Sequence, residues 1–228
     1  MPASASSVPS LESLLEDRYS CRAYLPQAVD RATMERIVLL AQRTPSWCNA
    51  QPWQVEITSS PATERLRQAL FQPEVLAETS FDFPPPGAYE GRYRDRRREC
   101  GVQLYQSLGI TPENRRASTE QGLENFRFFG APHMALVTTD AALGVYGVLD
   151  CGAYVNNFML AARSLGVASI AQGALAMRSA FLRDWFALPQ GRQVVCGISF
   201  GYEDPVHAAN GFRTRRASLD EVVRWVEA

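Results

Sequence analysis

The stretch LDCGAYVNNFMLAARSLGVASIAQGA, residues 149–174, decides the predicted fold class. Its first half belongs to a pattern from Tyr146 to Leu165 that is rich in small residues and stops at Gly166. This pattern is typical of a core helix with a glycine at its C-terminal end. Its second half, Val167–Gln172, is a short β-prone run that predicts a strand. The region therefore contributes one core helix and one strand of the predicted sheet.

The flanking sequence supplies more helices than strands, and the two do not alternate strictly. This order favours an α+β fold with one sheet over a doubly wound parallel fold. Further helices are predicted from Leu11 to Arg18, from the N-cap Asp30 to Arg43, from Pro61 to Phe71, from Arg92 to Leu108, from the N-cap Thr111 (with Pro112 next) to Phe128, from Ala180 to Leu188, and after the capping box Ser218–Glu221. Further strands are predicted over Trp53–Thr58, Met134–Thr138 and Gln193–Tyr202.

The length predicts a single domain over residues 1–228. Residues 1–9 are expected to be flexible. The segment 73–111 is expected to be a lid or insert region, because its first part is rich in proline and long loops in compact domains often carry function.

Composition excludes several classes of function. Net charge is −1, with 46% hydrophobic and 21% charged residues, so neither nucleic acid nor a membrane is an expected partner. All 23 Lys and Arg residues are arginine, which excludes a Walker-type lysine, a pyridoxal Schiff base and a lysine nucleophile. Five cysteines without a C-x-x-C pair and only two histidines argue against a disulfide framework and a metal site. Without a signal peptide or a long apolar run, the expected location is the cytoplasm.

Two arginine-containing segments could bind an anion. Arg18, Ser20 and Arg22 share one face if the stretch is extended, because side chains alternate with a period of two. Two guanidinium groups and a hydroxyl suit a phosphate or an anionic ring edge, and the alternative is a solvated helix end. Near the other end of the chain, the run FRTRR at 212–216 could bind a phosphate or could be a solvated basic tail.

Two further segments suit a flat heteroaromatic ring. The run PSWCNAQPW at 45–53 combines two prolines, amide donors and acceptors, and two tryptophans, although it could also be a structural turn into a strand. The run Ala171–Gly173 ends a predicted strand, and its glycine lets the backbone approach a ligand closely. The motifs G-x-G-x-x-G, G-x-S-x-G and H-E-x-x-H are absent from the sequence.

Six motifs span nearly the whole chain in a fixed order. They are RYSCRAY, PSWCNAQPW, NFRFFGAP, LDCGAYVNNFMLAARSLGVASIAQGA, VCGISFGYEDP and NGFRTRRASLDEVVRW. Taken together they resemble the FMN-dependent nitroreductase family, in particular its nitrobenzoate-reductase-like branch. The resemblance implies an α+β fold with a central, mostly antiparallel sheet flanked by helices. It also implies an intertwined homodimer with swapped terminal segments and two FMN molecules at the interface.

The resemblance implies a cofactor site, residue by residue. The first flavin-binding segment is matched by Arg18, Tyr19, Ser20 and Arg22. Within it, Arg22 is expected to stabilise negative charge at the flavin N1 and O2 edge. The loop that the second subunit places against the ring is matched by Pro45, Ser46, Trp47, Asn49 and Gln51. The segment whose backbone approaches flavin N5 is matched by Ala171, Gln172 and Gly173, and the phosphate-binding end by Arg213, Arg215 and Arg216.

The resemblance further implies that FMN carries the hydride, with NAD(P)H as the electron donor, in ping-pong turnover of a small nitroaromatic, quinone or related electron-poor substrate. No side chain is assigned a catalytic role and no metal is implied. An arginine of the cluster 92–98 could recognise an anionic substrate or the pyridine nucleotide, or the cluster could be a solvated helix face. The alternatives are a flavin carrier or sensor without NAD(P)H turnover, a flavin-cleaving or dehalogenating enzyme of the same fold, and a thiol enzyme that uses Cys48.

Overall fold

The central element of the protein is a four-stranded antiparallel sheet. The structure is a computed structural model and describes residues 9–227. The strands lie in the order β1-β2-β4-β3. Their bounds are Gln54–Ile57 (β1), His133–Asp140 (β2), Ala168–Gln172 (β3) and Arg192–Gly201 (β4). The predicted α+β class with one mostly antiparallel sheet is confirmed. The predicted flexibility of residues 1–9 lies outside the described residues except at Pro9.

Helices cover both faces of the sheet. Their bounds are Leu11–Asp17 (α1), Arg31–Ala41 (α2), Ser60–Leu70 (α3), Pro73–Ala77 (α4), Gly91–Ser107 (α5), Arg115–Leu123 (α6), Gly144–Ser164 (α7), Ser179–Trp185 (α8) and Leu219–Val222 (α9). Asp30 caps α2 as predicted, since its carboxylate accepts from the Thr33 N–H at 2.8 Å. The predicted capping box of Ser218 and Glu221 is also present at the start of α9.

Two hydrophobic clusters lie on opposite faces of the sheet, and β2 contributes to both. Met134 and Leu136 face the cluster that contains α3 and α8, whereas Ala135 and Val137 face the cluster that contains α2 and α7. This alternation follows from the two-residue period of a strand. The long helix α7 packs on the second face, where Phe158 meets a β4 phenylalanine with ring centroids 5.5 Å apart. Because both faces of the sheet are packed against helices, the strands are held in place. The strand ends around which the candidate site lies are held with them.

The structure corrects the helix predicted from Thr111 to Phe128. Helix α6 begins at Arg115, because Asn114 rather than Thr111 provides the cap, with Asn114 Oδ1 accepting from the Ala117 N–H at 3.0 Å. The helix ends at Leu123 and is followed by a 3₁₀ stretch, Glu124–Gly130. Phe128 and its neighbour Phe129 take positive φ values of 58° and 52° there and are buried. Burial of these aromatic side chains in the core outweighs the local preference for a continued helix.

The proline-rich first part of the predicted lid or insert region, 73–111, is partly helical and tied to the body of the protein. Its first part forms the short helix α4. Asp82 accepts from the Val194 N–H of β4 at 2.7 Å and pairs with Arg183 of α8. Beyond this anchor the chain is less constrained, since residues 84–90 are exposed and α5 has no buried residue.

Candidate functional site

The structure brings the two predicted arginine segments together. Ser20 forms a parallel bridge to Ser169 of β3, which adds the N-terminal arginine segment (residues 18–22) to the edge of the sheet. The C-terminal arginine segment (residues 212–216) lies opposite. Between them is a cavity of about 430 Å³, which is called the first cavity below. Its polar lining includes Arg18, Tyr19, Ser20, Arg22, Arg213 and Arg216.

A buried asparagine that the sequence reasoning missed joins the two segments. The side-chain oxygen of Asn210 accepts from the Arg22 N–H at 2.8 Å, and its amide donates to the carbonyls of Ala23 and Asp204, each at 2.9 Å. The backbone carbonyl of Asn210 accepts from Arg213 Nη1 at 2.8 Å. One side chain therefore fixes the distance between segments that are nearly 190 residues apart in sequence. The only sequence signal was its place as the first residue of the motif NGFRTRRASLDEVVRW.

Tyr19 forms a support beneath one of the arginines. Its hydroxyl donates to Glu203 at 2.6 Å, and Arg163 lies on the same carboxylate at 3.4 Å. The guanidinium of Arg213 sits 3.7 Å from the centre of the Tyr19 ring, a cation–π contact. Burial raises the pKa of Tyr19, and the hydrogen bond to Glu203 raises it further. Tyr19 therefore stays protonated and orients Arg213 instead of exchanging protons.

The first cavity carries uncompensated positive charge. Four arginines line it, whereas Glu16 is the only carboxylate among its described lining residues. Across residues 9–227, no ion pair within 4.0 Å involves the four, which are Arg18, Arg22, Arg213 and Arg216. Burial lowers the pKa of Arg18, and the nearby charge of Arg216 lowers it further. Burial also lowers the pKa of Arg22. A bound anion would offset both the repulsion and the cost of burying these charges.

The structure separates Arg215 from Arg216, although both belong to the same predicted phosphate-binding run. Arg216 lines the first cavity. Arg215 does not line this cavity and instead turns toward α5, where its Nε donates to Glu99 at 2.7 Å. Alternation along an extended segment places neighbouring side chains on opposite sides. Of the two, Arg216 is the one placed to bind an anion in the first cavity.

The end of β3 presents backbone and small side chains. Ala171 and Gly173 are exposed, whereas Gln172 is only 2% exposed. The side chain of Gln172 is used internally, since its amide donates to the Asn125 carbonyl at 2.9 Å and its oxygen accepts from the Ser199 hydroxyl. A ligand at this edge would therefore meet the backbone of this run and the two small residues, and not the glutamine side chain.

The tryptophan loop (residues 45–51) lies away from the arginine segments within one chain. It leads into β1 at one edge of the sheet, whereas Ser20 sits beside β3 at the other edge. Three inter-strand spacings separate the two edges, about 14 Å. The loop carries the predicted residues Pro45, Ser46, Trp47, Asn49 and Gln51, and none of them lines the first cavity. Within a single chain, the two parts of the predicted site, the tryptophan loop and the arginine segments, are therefore separate.

The tryptophan loop has a strained backbone that projects its side chains outward. Cys48, Asn49 and Gln51 all have positive φ, at 50°, 56° and 48°. The loop is held by the Gln51 N–H, which donates to the Ser46 hydroxyl at 2.9 Å. Trp47 is 59% exposed and packs edge-on against a tyrosine of α7 at 4.4 Å. Clustered backbone strain of this kind is typical of ligand-binding segments.

Other chemistries find little support in the described residues. In that part of the chain, no group of three or more His, Cys, Asp or Glu side chains is arranged to hold a metal ion. His133 is buried, with Nε2 accepting from the Val29 N–H at 3.0 Å and Nδ1 donating to the Thr58 carbonyl at 2.9 Å, so both ring nitrogens are used within the core. Across residues 9–227, no helix has the length and apolar character needed to cross a bilayer.

Comparison with known proteins identifies close relatives over nearly the full length. The model of the Nitroreductase family matches residues 15–202. The chain is 35% identical over 215 residues to nitroreductase NfnB of Mycolicibacterium smegmatis (strain ATCC 700084 / mc(2)155), covering 94% of this chain and 92% of that protein. It is 30% identical over 224 residues to 4-nitrobenzoate reductase of Nocardioides sp. (strain LMS-CY), covering 96% and 91%. Its fold matches the crystal structure of the FMN-dependent nitroreductase NfnB from Mycobacterium smegmatis in complex with NADPH, with a TM-score of 0.90, 34% identity and coverage of 95% and 97%.

Proposed function

The chain belongs to the nitroreductase family, and from this premise we propose that it is an FMN-dependent oxidoreductase that uses NAD(P)H to reduce nitroaromatic or related electron-poor compounds. The family expected from the ordered motifs is confirmed. The observation that carries the function is the first cavity, where four arginines converge without carboxylate partners among residues 9–227. The relatives support the reaction class, since they include a 4-nitrobenzoate reductase and an FMN-dependent enzyme complexed with NADPH.

The residues of the first cavity fit the phosphate end of FMN. Arg18, Arg213 and Arg216 supply guanidinium groups, and the Ser20 hydroxyl supplies a further donor. A phosphate monoester carries a charge of about −1.5 to −2 near neutral pH and needs several donors of this kind. We therefore propose these four residues as the phosphate-binding set. Arg215 acts outside this set, through its contact with Glu99.

Arg22 and the end of β3 fit the ring end of the cofactor. Arg22 and Ala171 each lie two residues beyond the bridged pair Ser20 and Ser169, on segments that run parallel. When bound, FMN supplies the redox chemistry, taking hydride from NAD(P)H and delivering it to the acceptor. The guanidinium of Arg22 would stabilise negative charge at the N1 and O2 edge of the ring when FMN is bound. The exposed backbone at Gly173 lets the chain approach N5 without a side chain between.

The second half of the site comes from a second copy of the chain. Helix α7 exposes an apolar stripe at helical spacing that includes Val145, Tyr146 and Leu149, the last 66% exposed. Leu11 and Leu15 of the neighbouring helix α1 are exposed as well. An exposed apolar surface of this kind marks a protein interface. A homodimer that buries this stripe would bring the tryptophan loop of one copy to the ring of the other.

We further propose that the C-terminal segments are exchanged between the two copies. The outer edge of β1 has no neighbouring strand among the described residues, and a groove of about 530 Å³ runs between this edge and α2. Its apolar lining is Met34, Val38, Leu39, Val55 and Ile57. Near the chain end, Trp225 and Val226 are exposed, and both are suited to fill such a groove.

The dimer is tested by sedimentation velocity on a charge substitution in the stripe. Leu149→Arg is expected to give a monomer that loses FMN. Val206→Arg is the matched control, because Val206 is 90% exposed but lies outside the stripe. A Leu149→Arg protein that stays dimeric would contradict the proposed interface. Removal of residues 223–228 is expected to raise the dimer dissociation constant, and an unchanged constant would contradict the exchange.

The lid of the site is proposed to comprise residues 84–107, the later part of the predicted 73–111 region. The anchor at Asp82 holds the start of that region, and the residues that follow are exposed. Limited proteolysis should cut at 84–90 more slowly when FMN and an acceptor are bound, and equal rates would contradict a lid. We also propose a cytoplasmic location, where NAD(P)H is available, which cell fractionation tests.

The proposed function is tested by an absorption spectrum of the purified protein, followed by anaerobic addition of NADPH and then NADH. A flavin spectrum that bleaches, and returns when a nitroaromatic or quinone is added, is the expected result. A flavin spectrum that no pyridine nucleotide bleaches would favour the carrier or sensor. Protein that cannot be reconstituted with FMN would contradict the proposal. Full activity of a Cys48→Ser variant would exclude the thiol enzyme.

A further inference from the structure

A second cavity adjoins the proposed FMN phosphate site. It has a volume of about 430 Å³ and lies between α5 and the C-terminal arginine segment. The two cavities share Cys100, Thr214 and Arg216 in their linings. The two cavities are therefore adjacent, and a ligand that occupied both would pass beside Arg216. The volume lies within the range of small-molecule sites, about 300–1,000 Å³.

The charges of the second cavity leave two arginines free. Four arginines and three carboxylates line it. Each carboxylate already pairs with an arginine: Asp95 with Arg94 at 3.2 Å, Glu99 with Arg215 at 2.6 Å, and Glu221 with Arg96 at 2.8 Å.

Neither Arg92 nor Arg216 has a carboxylate within 4.0 Å among residues 9–227. The nearest acceptors of Arg92 are a carbonyl and a tyrosine hydroxyl, each at 3.4 Å. The cavity therefore has an unneutralised cation at its outer part and another at the wall that it shares with the first cavity.

Arg92 also lies at the N-terminal end of a long helix. Arg92 lies in the first turn of α5, a helix of 17 residues. The helix dipole disfavours a cation at that end and favours an anion. An arginine at this place is unfavourable in the empty site and becomes favourable when an anion binds between it and the helix N-terminus. The cation at Arg92 and the helix end thus favour the same kind of ligand.

We propose that the second cavity binds an adenosine phosphate group, with Arg92 as its phosphate ligand. Two compounds could supply this group. One is FAD, whose second phosphate and adenosine would extend past Arg216 from the FMN half. The other is NADPH, whose 2′-phosphate would reach Arg92. The inference rests on the proposed function, because it takes the first cavity as the FMN phosphate site.

The test compares two pairs of ligands: FMN and FAD, which differ by an adenosine monophosphate group, and NADH and NADPH, which differ by the 2′-phosphate of the adenosine. Apoprotein is titrated with FMN and with FAD by flavin fluorescence, and kcat/KM is measured with NADPH and with NADH. Arg92→Gln is the test variant. Arg94→Gln is the matched control, because Arg94 lies on the same helix, pairs with Asp95 and does not line the cavity. Arg92→Gln is expected to lower either the affinity for FAD relative to FMN or kcat/KM for NADPH relative to NADH. The expected fall is about tenfold, which corresponds to the loss of one charged hydrogen bond.

Each outcome either identifies FAD or NADPH as the ligand of the second cavity or rejects the second cavity as a binding site. A fall in FAD affinity relative to FMN, absent in Arg94→Gln, identifies the flavin as the source. A fall in the NADPH to NADH ratio identifies the reductant. If both ratios equal those of the parent protein while FMN still binds, the second site is rejected and the proposed function stands. A parent protein that binds neither flavin would overturn both.

Discussion

Replacing Arg216 should weaken FMN binding far more than replacing its neighbour Arg215. The two substitutions, Arg216→Gln and Arg215→Gln, remove the same charge from adjacent positions of one exposed segment. Only the side-chain direction differs, since Arg216 lines the first cavity and Arg215 contacts Glu99. The comparison therefore tests the geometry of the site and not merely its net charge.

The expected magnitudes follow from the partners of each side chain. Arg216 donates only to Thr214 and to the Arg215 carbonyl, so a phosphate would be its only charged partner among the described groups. A charged hydrogen bond contributes about 1.5–3 kcal/mol, which is about 10- to 150-fold in the dissociation constant of FMN. Arg215 is 80% exposed and engaged in a surface ion pair. Such pairs contribute about 0.2–1 kcal/mol, so its loss should change the FMN dissociation constant by no more than about fivefold.

The assay is a fluorescence titration of apoprotein with FMN at about 0.1 M and about 1 M salt. Added salt should reduce the difference between parent and Arg216→Gln, because the screening length falls from about 10 Å to about 3 Å over that range. Thermal unfolding of each apoprotein checks that both variants fold. Equal losses for Arg215→Gln and Arg216→Gln, or a larger loss for Arg215→Gln, would refute the assignment of the phosphate-binding arginine.

Substitutions at three further positions test the scaffold. A Cβ at Gly147 would lie 2.6 Å from the Thr139 hydroxyl of β2. Gly147→Ala should therefore lower the free energy of unfolding, measured by denaturant titration, by about 1–3 kcal/mol. An unchanged free energy of unfolding would show that α7 can shift. Asp82→Ala removes the acceptor of the Val194 N–H, so it should lower the free energy of unfolding by about 1–3 kcal/mol and speed proteolysis at 84–90. Asp82→Asn keeps an acceptor and should lower the free energy of unfolding by less. Hydrogen bonds from Thr33 lower the pKa of Asp30, so its stabilising effect is present above the unfolded pKa of about 3.9 and disappears as the pH falls through the lower, folded pKa. Asp30→Ala should therefore lower the melting temperature near pH 7 and progressively less below pH 4, with Asp30→Asn close to the parent near pH 7, and a pH-independent deficit would contradict this.

Local signals accounted for the elements whose ends are set by nearby residues. The cap of α2 at Asp30 and the capping box of α9 were predictable, because each depends on contacts within three residues. The start of α6 was not predictable from Thr111 and Pro112, because Asn114 offers an equally good cap and the sequence does not rank the two. Its end depends on Phe128 burying its ring in a core formed by distant segments.

The candidate site also has features that contiguous sequence predicted and features that depend on contacts between distant residues. The ordered motifs identified the arginine segments and the tryptophan loop, since each motif is contiguous in sequence. The role of Asn210 could not be predicted, because its partners Arg22 and Ala23 lie almost 190 residues away. The segment Ala171–Gly173 was expected to approach the ligand through its backbone, but the burial of the Gln172 side chain against Asn125 and Ser199 depends on contacts that only the folded chain makes.

The sequence by itself determined the family, the α+β class and the absence of lysine chemistry, and it predicted the segments proposed to bind the cofactor, since composition and ordered motifs are properties of the chain alone. Only the tertiary structure decided which arginines face the first cavity, that Arg215 turns to α5, and that one chain places the tryptophan loop and the arginine segments at opposite edges of the sheet. The physical reason is that side-chain direction and distance depend on strand register and on contacts between residues remote in sequence. Those contacts form only when the sheet assembles.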